Sequence, residues 1–141
     1  MKFFSSPAAF AAFLPALALE IEHEKHQALE KAAVIVETEA KRVLGTHDYG
    51  WVPLKPETIA RKANGDTPLL ETGEMRESIE HIVKKDEAQI GSNNDKALWH
   101  ELGTSRIPPR PFLSGALHHK ADDIVKMIGQ NIVKVIEGKK S

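Results

Sequence analysis

The stretch 99-WHELGTSRIPPRPF-112 decides how this chain is divided, because it places a helical turn, a glycine stop and a proline-locked segment one after another. Residues 97–102 are spaced as a short helix, and Gly103 is the residue type that ends one in left-handed backbone. Pro108, Pro109 and Pro111 then fix three φ angles, and each presses its predecessor towards extended geometry. Residues 107–111 are therefore predicted to form a stiff extended strut. Arg110 projects from that strut as a rigidly held cation. Glu101, one turn earlier, is a partner for Arg106 or Arg110, while His100 is placed to hydrogen-bond the backbone. Phe112 and Leu113 anchor the following segment in the core.

Moving outward on the C-terminal side, Leu117, Ala121, Ile124, Ile128, Ile132 and Val135 step by three and four residues, which predicts a long amphipathic helix ended by Gly138. A polar tail, 138–141, follows. On the N-terminal side, Asn93-Asn94-Asp95 breaks the chain, and residues 79–84 and 88–92 read as two short strands around a Lys85-Asp86-Glu87 turn. Thr72 is placed to cap a turn over 74–78. The segment 46–70, holding Trp51, Pro53, Pro56, Asn64-Gly65 and Pro68, is a long loop with one short helix at 56–62. Before it, Ile21, Ala28, Ala32, Val36, Ala40 and Val43 mark a first long helix over 20–44 with Gly45 as its cap. Pro15 is expected to kink that helix or to separate it from a shorter one begun at Ser6-Pro7.

The expected fold is α+β: a small antiparallel sheet packed against two long amphipathic helices, with a long loop between the first helix and the sheet. Residues 1–141 form one domain, with 1–19 as an N-terminal helix or arm and 20–137 as the core. A chain of 141 residues that is 41% hydrophobic and 28% charged has room for one such core and no second domain. Its net charge of −1 argues against nucleic-acid binding driven by phosphate contacts, although local basic patches remain open. The absence of cysteine excludes a disulfide framework, a thiolate nucleophile and cysteine-ligated zinc. The apolar run 8–19 imitates a secretory signal, but the stripe Phe10, Leu14, Leu17, Ile21 continues in helical phase past any cleavage site. That run is short of the ~20 apolar residues a bilayer span requires.

Enzymatic chemistry finds little support in the spacing. A zinc peptidase needs His-Glu-x-x-His so that two imidazoles stand one turn apart, and His100-Glu101 is followed by Leu102, Gly103 and Thr104. His23-Glu24-Lys25-His26 is one residue too short and reads as a solvated helix face. His118 and His119, about 100° apart on a helix, allow at most one to converge on a site with His100. No Gly-x-Ser-x-Gly elbow and no glycine-rich phosphate loop is present. A metal-assisted hydrolase using His100, Glu101 and one of His118 or His119 is the enzymatic alternative. An adaptor recognised through the Pro108-Pro109-Arg110-Pro111 strut is a third reading.

Taken together, "WVPLKPETIARK" (51–62), "TPLLETGEMRESI" (67–79), "QIGSN" (89–93) and "ALWHELGTSRIPPRPFL" (97–113) resemble the tail-completion, or virion morphogenesis, proteins of tailed bacteriophages, both Mu-type and the related neck or minor tail components. The resemblance covers about residues 20–137. It implies a non-enzymatic structural protein without cofactor, made in the bacterial host cytoplasm and incorporated in the virion. Such a subunit assembles as a ring, a hexamer in this reading, at the head-proximal end of the tail. Its partners are further copies of itself, the tail tube or tail terminator, and the head connector, with no specific nucleic acid and no membrane. Carried over by position, the recurrent residues are Trp51, Leu54, Leu69, Leu70, Thr72, Gly73, His100, Glu101, Gly103, Pro109, Arg110, Pro111, Phe112 and Leu113. The alanine- and phenylalanine-rich N-terminus departs from the pattern. Of these residues, Trp51, Leu54, Leu69, Leu70 and Arg110, joined by Arg106, are the expected assembly contacts. The others build the corner. Loop 46–70 is expected to be mobile in the free subunit and to order on assembly around Trp51, or else Trp51 packs on its own domain.

Overall fold

The computed structural model describes residues 7–138, arranged as α1 (Pro7–Val43), α2 (Pro56–Arg61), α3 (Glu74–Glu77), β1 (Ile79–Val83), β2 (Ala88–Ser92), α4 (Asp95–Leu102) and α5 (Phe112–Gly138). The α+β architecture is the expected one. A two-stranded antiparallel hairpin and α5 both pack on α1, and the loop joining α1 to α3 folds back over the end of the core. Among the described residues no helix is long and apolar enough to cross a membrane.

One boundary differs from expectation. The helix runs without a break through Pro15, which is exposed. Proline removes one backbone N–H from the ladder, but here it is embedded among alanines and leucines, the strongest helix formers, on both sides. Ser6, the proposed cap, and residues 139–141 of the proposed tail lie outside the described residues, as do the side chains of Phe10 and Leu14.

Alpha1 turns a narrow face inward: Ala28, Ala32, Ala33, Val36, Ala40 and Val43 are all buried. Small side chains along that ridge allow the hairpin and α5 to approach closely, since the side chains at the contact set the interaxial distance. The core gathers at the C-terminal end of α1, where Val43 and Leu44 meet Met75, Ile79, Ala97, Phe112 and Ala116. On α5 the buried residues are Phe112, Ala116 and Asn131, with Ile124 partly buried, whereas Leu117 is 53% exposed. The apolar stripe proposed for this helix thus starts on the wrong residue. Phase is set by Phe112, and residue 116, one turn later, shares its face while residue 117 is rotated by about 100°.

The hairpin pairs Ile79 with Ser92 and Val83 with Ala88. Ile79 and His81 turn towards α1, and Ile82 is left outside at 54% exposure. At the end of α1, Gly45 sits at φ +84°, and a Cβ there would stand 2.8 Å from Leu70 Cδ2. Its N–H donates to the Pro68 carbonyl at 2.6 Å, so the two ends of loop 46–70 are tied together. Glycine is required at this crossing on both counts.

Candidate binding cleft

Three stretches remote in sequence form one cleft of about 640 Å³. Residues 52–62, including α2, supply one wall; the turn 69–75 and the strut segment 106–110, with His100 and Lys96 of α4, supply the rest. Lys55 is extended before the helix and Pro56 occupies its first turn, where a missing N–H costs nothing. Asn94 caps α4 by accepting the Lys96 N–H at 3.0 Å.

Behind the cleft, the corner is held by contacts different from those expected. Glu101 pairs with neither arginine. Its carboxylate accepts the N–H groups of Leu113 at 2.9 Å and Ser114 at 3.0 Å, together with the Ser114 hydroxyl. These are the free donors at the start of α5, where the helix dipole also favours negative charge. Arg110 is only 6% exposed and donates from Nε and Nη2 to the Val52 carbonyl, at 3.1 and 2.8 Å. It is a staple between the strut and loop 46–70, not a projecting cation. Burial pushes its pKa down from the usual arginine range. Among the described residues Arg106, exposed on the cleft wall, meets no carboxylate.

His100 uses its backbone and not its ring: its carbonyl accepts the Arg110 N–H at 2.7 Å. The buried Nδ1 has no hydrogen-bond partner among the described residues, which corrects the expected bond from ring to backbone. Burial, then the charges of Arg110, Lys62 and Lys96, lowers the imidazole pKa and favours the neutral ring. Gly103 ends α4 at φ +77°, its N–H donating to the Trp99 carbonyl at 2.8 Å. A Cβ at this position would lie 2.9 Å from Pro109. The strut is therefore pressed directly against the helix end.

The remaining sequence-selected residues divide between the cleft and its support. Leu54, Leu69, Thr72 and Gly73 line the cleft. Leu69 holds φ +65°, a conformation that is costly for a branched side chain and is kept here by packing against the core. The Thr72 hydroxyl accepts the Glu74 N–H at 3.3 Å, while Gly73, at φ +85°, occupies the cap position of α3 where the sequence predicts Thr72. Trp51 packs partly buried on its own domain's core and meets Tyr49 edge-on at 5.6 Å. Leu70 lies against Gly45, outside the cleft, and its carbonyl accepts Lys62 Nζ at 2.7 Å. The Pro111 carbonyl accepts the Gly115 N–H at 3.2 Å; Phe112 is fully buried and Leu113 packs on the core.

Sequence reasoning missed two groups. One is the set Lys55, Arg61 and Lys96, whose basic character was visible but whose convergence depends on the fold. The other is Glu39, buried on α1, which takes a bidentate bond from Arg42 at 2.7 and 2.8 Å and the Tyr49 hydroxyl at 2.7 Å. Arg42, then the tyrosine hydrogen bond, holds the Glu39 carboxyl down to about 2 against the cost of burial. The Tyr49 ring stacks on His119 at 4.0 Å, and His119 Nδ1 lies 2.8 Å from the Gly115 carbonyl. Among the described residues no three histidine, aspartate or glutamate side chains stand together in a metal-binding group.

Comparison with protein-family models, with curated proteins and with solved structures finds no match.

Proposed function

We propose that this chain is a structural virion subunit of a tailed phage or prophage, a tail-completion or head-tail joining protein that forms a ring at the head-proximal end of the tail. The observation that supports this reading is the convergence of the segments behind the resemblance. Residues 51–62, 67–79 and 97–113, separated in sequence, build one cleft and the corner behind it. Their shared polar groups serve architecture: Glu101 caps α5, Arg110 staples the loop, and Gly103 admits Pro109. A shape-determined surface of this kind suits a subunit that docks on neighbours.

The hydrolase alternative would take Glu101 away from the start of α5, and the adaptor alternative would need Arg110 released from Val52. Neither is favoured by a specific observation. The deciding experiment is to induce a lysogen carrying the gene, purify the particles and quantify this polypeptide against the major capsid protein. The virion reading expects a few copies per particle, in keeping with a single ring. Particles that assemble and infect without the polypeptide would end it.

A further inference from the structure

The cleft carries an imbalance of charge that the protein as a whole does not. Lys55 and Arg61 come from the wall at α2, and Lys96 and Arg106 from the wall at α4 and the strut. All four side chains are exposed, and among the described residues none has a carboxylate within ion-pair distance. Lys62, by contrast, is already bound to Glu71 at 3.0 Å. Four cations outside any ion pair therefore share the cleft with three carboxylates, Glu57, Glu74 and the Lys62-bound Glu71, in a chain whose net charge is −1. Between them the surface is apolar, formed by Leu54, Leu69, Met75, Ile107 and Pro108.

We propose that this cleft binds an extended, acidic segment of a partner protein, with an apolar side chain seated on the Leu54–Met75–Ile107 floor and flanking carboxylates on Lys55, Arg61, Lys96 and Arg106. An extended chain turns successive side chains to opposite faces, so residues two apart point the same way and reach successive positions along a groove. Arginine in particular matches a carboxylate in bidentate geometry. The other polyanion with this charge, single-stranded nucleic acid, is less suited: it gains affinity by stacking bases on aromatic rings, and no Phe, Tyr or Trp lines the cleft. This inference stands on the cleft alone and outlives a failure of the virion reading.

The test uses the full chain and a labelled peptide alternating glutamate with leucine around a central photoreactive phenylalanine, followed by fluorescence anisotropy. A second peptide carries glutamine for every glutamate, and oligothymidylate serves as the polyanion control. The acidic peptide is expected to bind at least about tenfold tighter than the glutamine peptide, and to weaken as salt is raised from low to physiological levels. The surface substitutions Lys96→Glu and Arg106→Glu together are expected to abolish that preference, with circular dichroism unchanged. Photocrosslinks are expected within residues 52–75 and 96–110. Equal binding of both peptides, no binding of the acidic peptide, crosslinks elsewhere, or tighter binding of oligothymidylate would each overturn the proposal.

Discussion

Glu101 closes the start of α5. Its carboxylate stands five and nine residues before Arg106 and Arg110, yet it is spent on Leu113 and Ser114 at the start of α5. Unpaired N–H groups at a buried helix start need an acceptor, and they outcompete an exposed ion pair, which contributes little. Glu101→Ala is expected to destabilise the fold by about 1–2 kcal/mol, as loss of a helix cap does, with most of the loss appearing at the α5 end. Chemical denaturation, with hydrogen exchange at Leu113 and Ser114, checks this. Unchanged exchange at those two amides would mean that water or another acceptor takes over. Arg110 follows the same logic: its buried guanidinium needs an acceptor, and the Val52 carbonyl takes two of its N–H donors. No spacing rule connects positions 52 and 110.

At the scale of elements, the hairpin is held on α1 by the apolar packing of Ile79 and Ile90, by the Lys25–Asp86 ion pair and by one titrating residue. Ile79 is buried, while His81 lies 2.6 Å from Glu30 and 3.2 Å from Glu37. The hydrogen bond to Glu30 first, then that to Glu37, raises the His81 pKa above the ordinary histidine value against a modest cost of burial. The stabilisation from this latch is therefore complete below about pH 6.5, the unfolded histidine value, and is lost as pH rises through the raised folded value. Wild type is expected to lose up to about 1 kcal/mol relative to His81→Gln between pH 6 and pH 9, because these side chains are partly solvated. Parallel stability curves for the two proteins over that range would rule the latch out. The hairpin itself was readable from two β-patterned runs around a charged turn, and α1 and α5 from their periodicity. The phase of α5 was not readable to one residue, because Leu117 is as apolar as a core residue and only the seating of Phe112 excludes it.

For the molecule as a whole, loop 46–70 is the part that the fold holds by distant contacts. Gly45 closes its ends through Pro68, Tyr49 joins Glu39, Asn64 donates to the Glu71 carbonyl at 2.7 Å, and Arg110 pins Val52. Removing that last staple by Arg110→Ala deletes a buried side chain and its two charge-assisted hydrogen bonds to the Val52 carbonyl, a loss of about 2 kcal/mol. Trypsin is then expected to cut after Arg61 and Lys62 several-fold faster than global unfolding allows, as in local opening. Cleavage that keeps pace with global unfolding would show the loop to be held without Arg110. What the sequence determined by itself was whatever depends on near neighbours: two amphipathic helices, a hairpin, a glycine stop before a proline strut, and the α+β class. Those follow from backbone sterics and from periodicity, which act within a few residues. The cleft, the cap that Glu101 supplies, the Arg110 staple and the four cations gathered from Lys55 to Arg106 were decided only by tertiary structure. Each needs a partner 12 to 58 residues away, and burial, not spacing, chooses which polar group that partner is.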